Sequence, residues 1–176
     1  MTKEVKFIHT LGPTGTNCEA AANYWFEQKN IKGEVVLHDT LEIAVDTIKA
    51  NNDKRHALLG CVVYPDLHDI VFDNLTNMEL KECFMFKTYN MVMATNRRRE
   101  FSELIKSAAS HLAPSSLLPR NIERKIVTSN SKAAELCSRG ETDGCITTIK
   151  SAKDHNLQII QDFGKVDMGF TIHTLR

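Results

Sequence analysis

The chain has 176 residues, 42% apolar and 25% charged, an ordinary globular mixture with room for one sizeable domain or two small lobes. Its 22 Lys and Arg balance 22 Asp and Glu, so it lacks the basic excess expected of a protein that binds nucleic acid or an anionic membrane. No apolar run reaches the length of a membrane span, and the opening MTKEVKFIHTLG alternates polar and apolar residues, unlike a signal peptide; a cytoplasmic protein is expected.

Residues 5–11 alternate as a strand, and 17–29 follow as a helix behind the stretch LGPTGT. Residues 34–38 read as a strand, and 40–51 as a helix with Leu41, Ala44, Val45 and Ile48 on one face. The run ALLGCVV at 57–63 is nearly all apolar, as in a strand covered on both sides. Residues 64–77 are polar and loop-like. Alternation of β type returns over 80–95, and 98–109 looks helical, with the basic run NRRRE at 96–100 as its exposed start. A strand at 125–128, a helix at 131–139, a strand at 144–147, a helix at 148–155 and strands at 157–161 and 169–174 complete the chain. Such strand–helix alternation predicts an α/β fold with a mainly parallel sheet. The Met-rich FMFKTYNMVM at 84–93 reads as packing surface. Cys18, Cys61, Cys83, Cys137 and Cys145 are odd in number and form no CxxC pair, so reduced, mostly buried thiols are expected rather than disulfides or a zinc site.

The stretch GPTGT at 12–16 is neither a P-loop, since no Lys-Ser/Thr follows, nor a GxGxxG turn. Its glycines still permit a sharp turn and a close backbone approach. Thr16 or Asn17 can cap the following helix, whose first-turn N–H groups and dipole favour an anion. Thr128-Ser129-Asn130-Ser131 repeats this arrangement before the helix KAAELCSRG. Two such termini suit the two anionic groups of one small dicarboxylate. Thr14, Gly15, Thr16 and Asn17 would contact one group, and Ser129, Asn130 and Ser131 the other. Thr147 and Thr148 at a strand end are further hydrogen-bonding candidates.

With LGPTGTNCEAAANYW at 11–25, ASH at 109–111, SNSKAAE at 129–135 and DGCITT at 143–148, the chain resembles the catalytic domain of prephenate dehydratases from about residue 5 to 172. The resemblance implies two α/β lobes of periplasmic-binding-protein type II, one of about 1–77 plus 163–176 and the other of about 78–162, with prephenate between them. Dehydratases close this domain with Thr-Arg-Phe, whose Thr helps expel the ring hydroxyl and whose Arg holds a carboxylate. Met168-Gly169-Phe170 stands there instead, so the substrate would meet these three residues without that chemistry. The chain also ends without the regulatory ACT domain, so feedback by phenylalanine is expected to be absent.

VVLHDTLE at 35–42, with a methionine and an aromatic at 168 and 170, is similar to the non-aromatising prephenate decarboxylases of bacilysin-type antibiotic biosynthesis. That likeness implies a carboxy-lyase of specialised metabolism that removes the ring carboxylate and keeps the hydroxyl. No metal or organic cofactor is expected, because the diene is its own electron sink. An atypical dehydratase and a non-catalytic carboxylate binder are the alternatives, and a homodimer is expected by analogy. The reaction requires a general acid near the diene. His111 and Asp66 are the leading candidates, with His68 and Cys18 behind them. His38 and Asp39 read as structural, with Asp39 or Thr40 capping the next helix.

Overall fold

The computed structural model describes residues 5–96 and 105–176. Two compact units divide the chain, Met1–Thr88 with Asp167–Arg176, and Tyr89–Val166. In the first unit, β1 (Phe7–Leu11), β2 (Glu34–His38) and β3 (His56–Cys61) are parallel. β10 (Asp167–Leu175) runs antiparallel to β3 and to β4 (Met78–Lys87), giving the order β2-β1-β3-β10-β4. The period-2 alternation of β1 explains the layering. Ile8 points into a cluster with Ala21, Ala22, Trp25 and Phe26 of α1 (Asn17–Lys29), together with Phe170. Residues of the opposite face, such as Leu58, pack under Leu41, Ala44, Val45 and Ile48 of α2 (Leu41–Asn51). Asn30 and Asn52 end these helices in the left-handed region, at φ 52° and 48°. The buried Trp25 indole N–H donates to Glu82 Oε2 at 3.1 Å, so the ring packs without stranding its one donor.

The second unit holds β5 (Met91–Asn96), β6 (Ser107–His111), β7 (Glu123–Val127), β8 (Gly144–Thr148) and β9 (Leu157–Gly164) in the order β7-β6-β8-β5-β9. β6, β7 and β8 are parallel, and β5 is antiparallel to both β8 and β9. Val92 and Ala94 face Ala133, Ala134 and Cys137 of α4 (Asn130–Ser138) and Ala152 of α5 (Ile149–Asp154). Met91 and Met93 face the other way, onto Ala108, Leu118 and Ile146.

The strand and helix order of the sequence reading is borne out at most points, with two corrections. The stretch 64–77 holds a short helix, α3 (Leu67–Asp73), which buries only Ile70 and therefore carries almost no apolar periodicity. The helix expected over 98–109 is not one at its end. Residues 97–104 lie outside the described residues, but Ser107–His111 is a strand, because pairing with β7 and β8 overrides the helix preference of its alanines. Four of the five residues of NRRRE thus lie outside the described residues, and Asn96 closes β5. Among the described residues no helix is long and apolar enough to cross a membrane.

Candidate active site

In each unit the helices following parallel strands begin at the carboxyl ends of those strands, where open α/β sheets bind ligands. In the first unit this edge carries the loop from Gly12 to α1. Thr16 caps α1, its hydroxyl accepting from the Glu19 N–H at 3.3 Å. Gly15, at φ +86°, supplies the left-handed turn that the loop requires. The anion at this helix end is the chain's own. The Glu19 carboxylate accepts from the Thr14 hydroxyl at 2.8 and 3.0 Å and from the Gly15 N–H at 2.5 Å. Thr16-x-x-Glu19 is a capping-box pattern, with the acid reaching back one residue beyond the cap.

Met168 and Gly169 lie at the same edge, since Phe170 pairs with Cys61, the last residue of β3. Met168 packs on the α1-side core, where Phe170 is fully buried with its ring 5.8 Å from that of Phe84. The Gly169 carbonyl accepts from the N–H of Val62, just past β3, at 3.1 Å, and a Cβ on Gly169 would stand 3.1 Å from Val62 Cγ1. Val62 therefore fills the space into which a longer residue at 169 would extend. Nearby, the Tyr64 hydroxyl donates to Glu42 Oε2 at 2.9 Å. Burial and that carboxylate push the Tyr64 pKa up to about 12. Cys18, on the first turn of α1, is buried against Cys61; their thiol–thiol hydrogen bond raises the Cys18 pKa and lowers that of Cys61.

In the second unit the equivalent edge gathers His111, Ser129, Asn130, Ser131, Thr147 and Thr148. His111 ends β6 opposite Val127, and Thr148 ends β8 opposite Met91. Ser129 caps α4 by accepting from the Lys132 N–H at 3.0 Å. Behind it runs a buried hydroxyl row, with Ser131 Oγ 3.0 Å from Ser151 Oγ and the Thr148 hydroxyl donating to Ser151 Oγ at 3.1 Å. Thr147 donates to the Asn130 carbonyl at 2.7 Å, fixing the first residue of the helix. Asn130 Oδ1 is buried and accepts no hydrogen bond. Turning this amide about its last torsion would put two N–H donors at the same point. His111 is half-buried, which lowers its pKa, and its Nδ1 accepts from the Ala113 N–H at 3.4 Å. That bond leaves Nε2 to carry the ring proton.

The remaining acid candidates are placed differently. Asp66 is exposed at the start of α3 and makes no side-chain cap bond there. His68 is exposed and pairs with Asp69 at 3.2 Å. Thr40, not Asp39, caps α2 by accepting from the Ile43 N–H at 3.3 Å.

The sequence reading missed one cluster. His9 Nδ1 lies 2.8 Å from His38 Nε2, and His9 Nε2 lies 2.8 Å from His56 Nδ1. His9 is 2% exposed; burial, with the two neighbouring rings, lowers its pKa to about 4. The residues are 29 and 47 positions apart in sequence, and only the registers of β1, β2 and β3 bring them together. Among the described residues no group of three or more His, Cys, Asp or Glu is arranged to hold a metal ion.

No family model matches the chain. The chain is similar to two prephenate decarboxylases. It is 28% identical to that of Planktothrix agardhii (strain NIVA-CYA 126/8) over 94% of its own length and 86% of the relative. To that of Bacillus subtilis (strain 168) it is 22% identical over 94% of its length and 84% of the relative. Among solved structures, the prephenate dehydratase of Arthrobacter aurescens with L-Phe superposes at a TM-score of 0.70 with 14% identity. That alignment covers 97% of this chain and 60% of the dehydratase, so the chain spans less than two thirds of that enzyme. The fold class expected from the sequence, that of prephenate dehydratase domains and type II periplasmic binding proteins, is borne out. So is the expected likeness to the decarboxylase type.

Proposed function

We propose that this protein is a prephenate decarboxylase that releases the ring carboxylate as carbon dioxide and leaves the ring hydroxyl in place. The observation that carries this reading is the similarity to two prephenate decarboxylases over 94% of the chain. Met168 and Gly169 support it. A thioether cannot hand a proton to a departing hydroxyl, and Val62 fills the space beside Gly169.

The chemistry asks little of the protein beyond placement. As the carbon–carbon bond breaks, its electron pair moves through the diene to a ring carbon, which takes up one proton. Each turnover therefore consumes one proton. A donor near that carbon and none near the hydroxyl keeps the product non-aromatic. We assign the donor to His111 through Nε2, with the exposed Asp66 as the second candidate. Ser129, Asn130, Ser131 and Thr147 at the α4 terminus are assigned to a substrate carboxylate, on the strength of the unpartnered Asn130 amide oxygen. The loop of Thr14, Gly15, Thr16 and Asn17, with Met168 and Gly169, completes the proposed binding set, provided that Glu19 yields the loop amide; Phe170, expected from the sequence to meet the substrate, is fully buried in the core behind them. A cytoplasmic homodimer in specialised metabolism belongs to the same proposal, and light scattering at twice the chain mass is its check.

The experiment is direct. Purified protein is mixed with prephenate at neutral pH beside a protein-free control, and the products are identified by mass spectrometry. A keto acid lighter by carbon dioxide, with its hydroxyl retained, is the expected result. Phenylpyruvate above the control would overturn the proposal in favour of dehydration, and stabilisation by unchanged prephenate would favour a binder.

A further inference from the structure

The chain leaves β3 through a turn of unusual composition. The Tyr64 N–H donates to the Cys61 carbonyl at 2.9 Å, so Val62 and Val63 are the central residues of a tight turn. Such positions favour Gly, Pro, Asn, Asp and Ser. Two valines gain neither a side-chain bond nor burial there, since Val62 is 52% and Val63 45% exposed. A local choice that works against folding marks a place where function has outweighed it. The turn is nevertheless held firmly. The Val62 N–H donates to the Gly169 carbonyl, and the Tyr64 hydroxyl donates to Glu42 in the first turn of α2. Val62 Cγ1 and Cγ2 stand 3.1 and 3.2 Å from the place of a Cβ on Gly169, so Val62 continues the surface of Met168 and Gly169. We propose that Val62 decides the product: its two methyl groups form a dry wall without a proton donor against the ring hydroxyl of the substrate, so that the proton of each turnover goes to carbon and not to oxygen. This assignment rests on the function proposed above.

Two outcomes consume the same proton and differ in where it lands. Departure of carbon dioxide leaves an electron pair in the diene. If a ring carbon takes the proton, that pair becomes the new carbon–hydrogen bond and the hydroxyl stays. If the hydroxyl oxygen takes it, water departs with the carbon–oxygen pair, and the pair left by carbon dioxide completes an aromatic ring. Hydroxide leaves poorly without that proton, so the second course needs a donor or a water molecule at the oxygen. A wall of methyl groups supplies no donor and keeps water away. Hydroxyls at the same edge are already committed, Thr14 to Glu19 at 2.8 Å, Thr16 to the Leu11 carbonyl at 3.2 Å and Tyr64 to Glu42 at 2.9 Å. Tyr64, its pKa pushed up to about 12, also keeps its proton at neutral pH.

The test uses two variants of the full chain. Val62→Thr replaces one methyl by a hydroxyl of about the same size, and Val62→Ala opens room for water. The side chain is half-exposed beyond the strand, so both are expected to fold. Val63→Thr, similar in exposure but not the residue that meets Gly169, is the control. Each is mixed with prephenate beside a protein-free sample, and the non-aromatic keto acid and phenylpyruvate are measured by mass spectrometry. The unmodified protein and Val63→Thr should give the non-aromatic acid almost alone. In Val62→Thr the ratio of phenylpyruvate to that acid is expected to rise at least about tenfold, with KM within about threefold of the original. Val62→Ala should show a smaller rise. An unchanged ratio in both Val62 variants, an equal rise in Val63→Thr, or turnover lost without aromatic product would overturn the assignment and leave Val62 a packing residue. Phenylpyruvate as the main product of the unmodified protein, or no turnover by it, would instead overturn the functional reading itself.

Discussion

The helices α1 and α4 begin alike and end up with different chemistry at their tips. Each follows a parallel strand, and each is capped by a hydroxyl that accepts from the third residue of the helix, Thr16 from Glu19 and Ser129 from Lys132. What differs is the side chain at that third position. Glu19 folds back and gives the first loop an anion of its own. Lys132 turns outward to Glu135 at 2.8 Å, and the Asn130 amide oxygen at the second terminus stays unpartnered. A helix N-terminus is thus a place for an anion only when the sequence does not already supply one three residues on.

The units differ as well in what their cores bury, and this gives the largest effect expected. His9 is nearly fully buried, with a pKa of about 4 in place of 6.5. Between those values the unfolded chain binds the proton and the folded chain does not, so stability falls as pH falls from about 6.5 to about 4. The loss sums to roughly 3 kcal/mol. His38 and His173, both lowered chiefly by burial, add in the same direction. In the second unit the fully buried titratable pair is Cys137 and Cys145; the Cys145 thiol, raised by its bond from Cys137 and by burial, stays protonated, and half-buried His111 adds less. Urea unfolding followed by Trp25, the one tryptophan and a residue of the first unit, is expected to show this acid sensitivity. An equal pH dependence in His9→Gln would show that His9 is not its source.

Much of this architecture was legible in the chain. The caps, narrowed to Thr16 or Asn17 and to Asp39 or Thr40, the apolar stripe of α2 and the strand–helix alternation are local signals, read within a few residues. The Thr16-x-x-Glu19 pattern is equally local, and the acid that completes it stands three residues after the cap. The histidine row was of another kind. His9, His38 and His56 are single residues on three strands, and no spacing in the sequence reveals that their rings meet until the β1–β2 and β1–β3 registers are known. α3 was missed because a seven-residue helix burying one side chain has no period to read.

Lys132→Glu would give α4 the acid that α1 already has. If the open terminus of α4 holds a substrate carboxylate, the new side chain competes for that place. KM for prephenate is then expected to rise about tenfold, equivalent to roughly 1.4 kcal/mol, without loss of thermal stability, because a capping box is gained as the Lys132–Glu135 pair is lost. An unchanged KM would remove α4 from the proposed site.

Glu19→Ala makes the reverse change and carries the smallest effect. It removes the acceptor of the Gly15 N–H and the Thr14 hydroxyl, and a loss of about 1 kcal/mol is expected, the usual cost of a broken helix cap. Sulfate or phosphate should restore part of that stability by binding where the carboxylate was, while leaving the unmodified protein, whose loop is filled, almost unaffected. Steady-state kinetics then separate two roles for the loop. A KM within about twofold of the original means that Glu19 serves folding and the substrate is held elsewhere. A clear fall in KM means that Glu19 and a substrate carboxylate compete for the same two donors, so the loop is a binding element that its own helix partly closes.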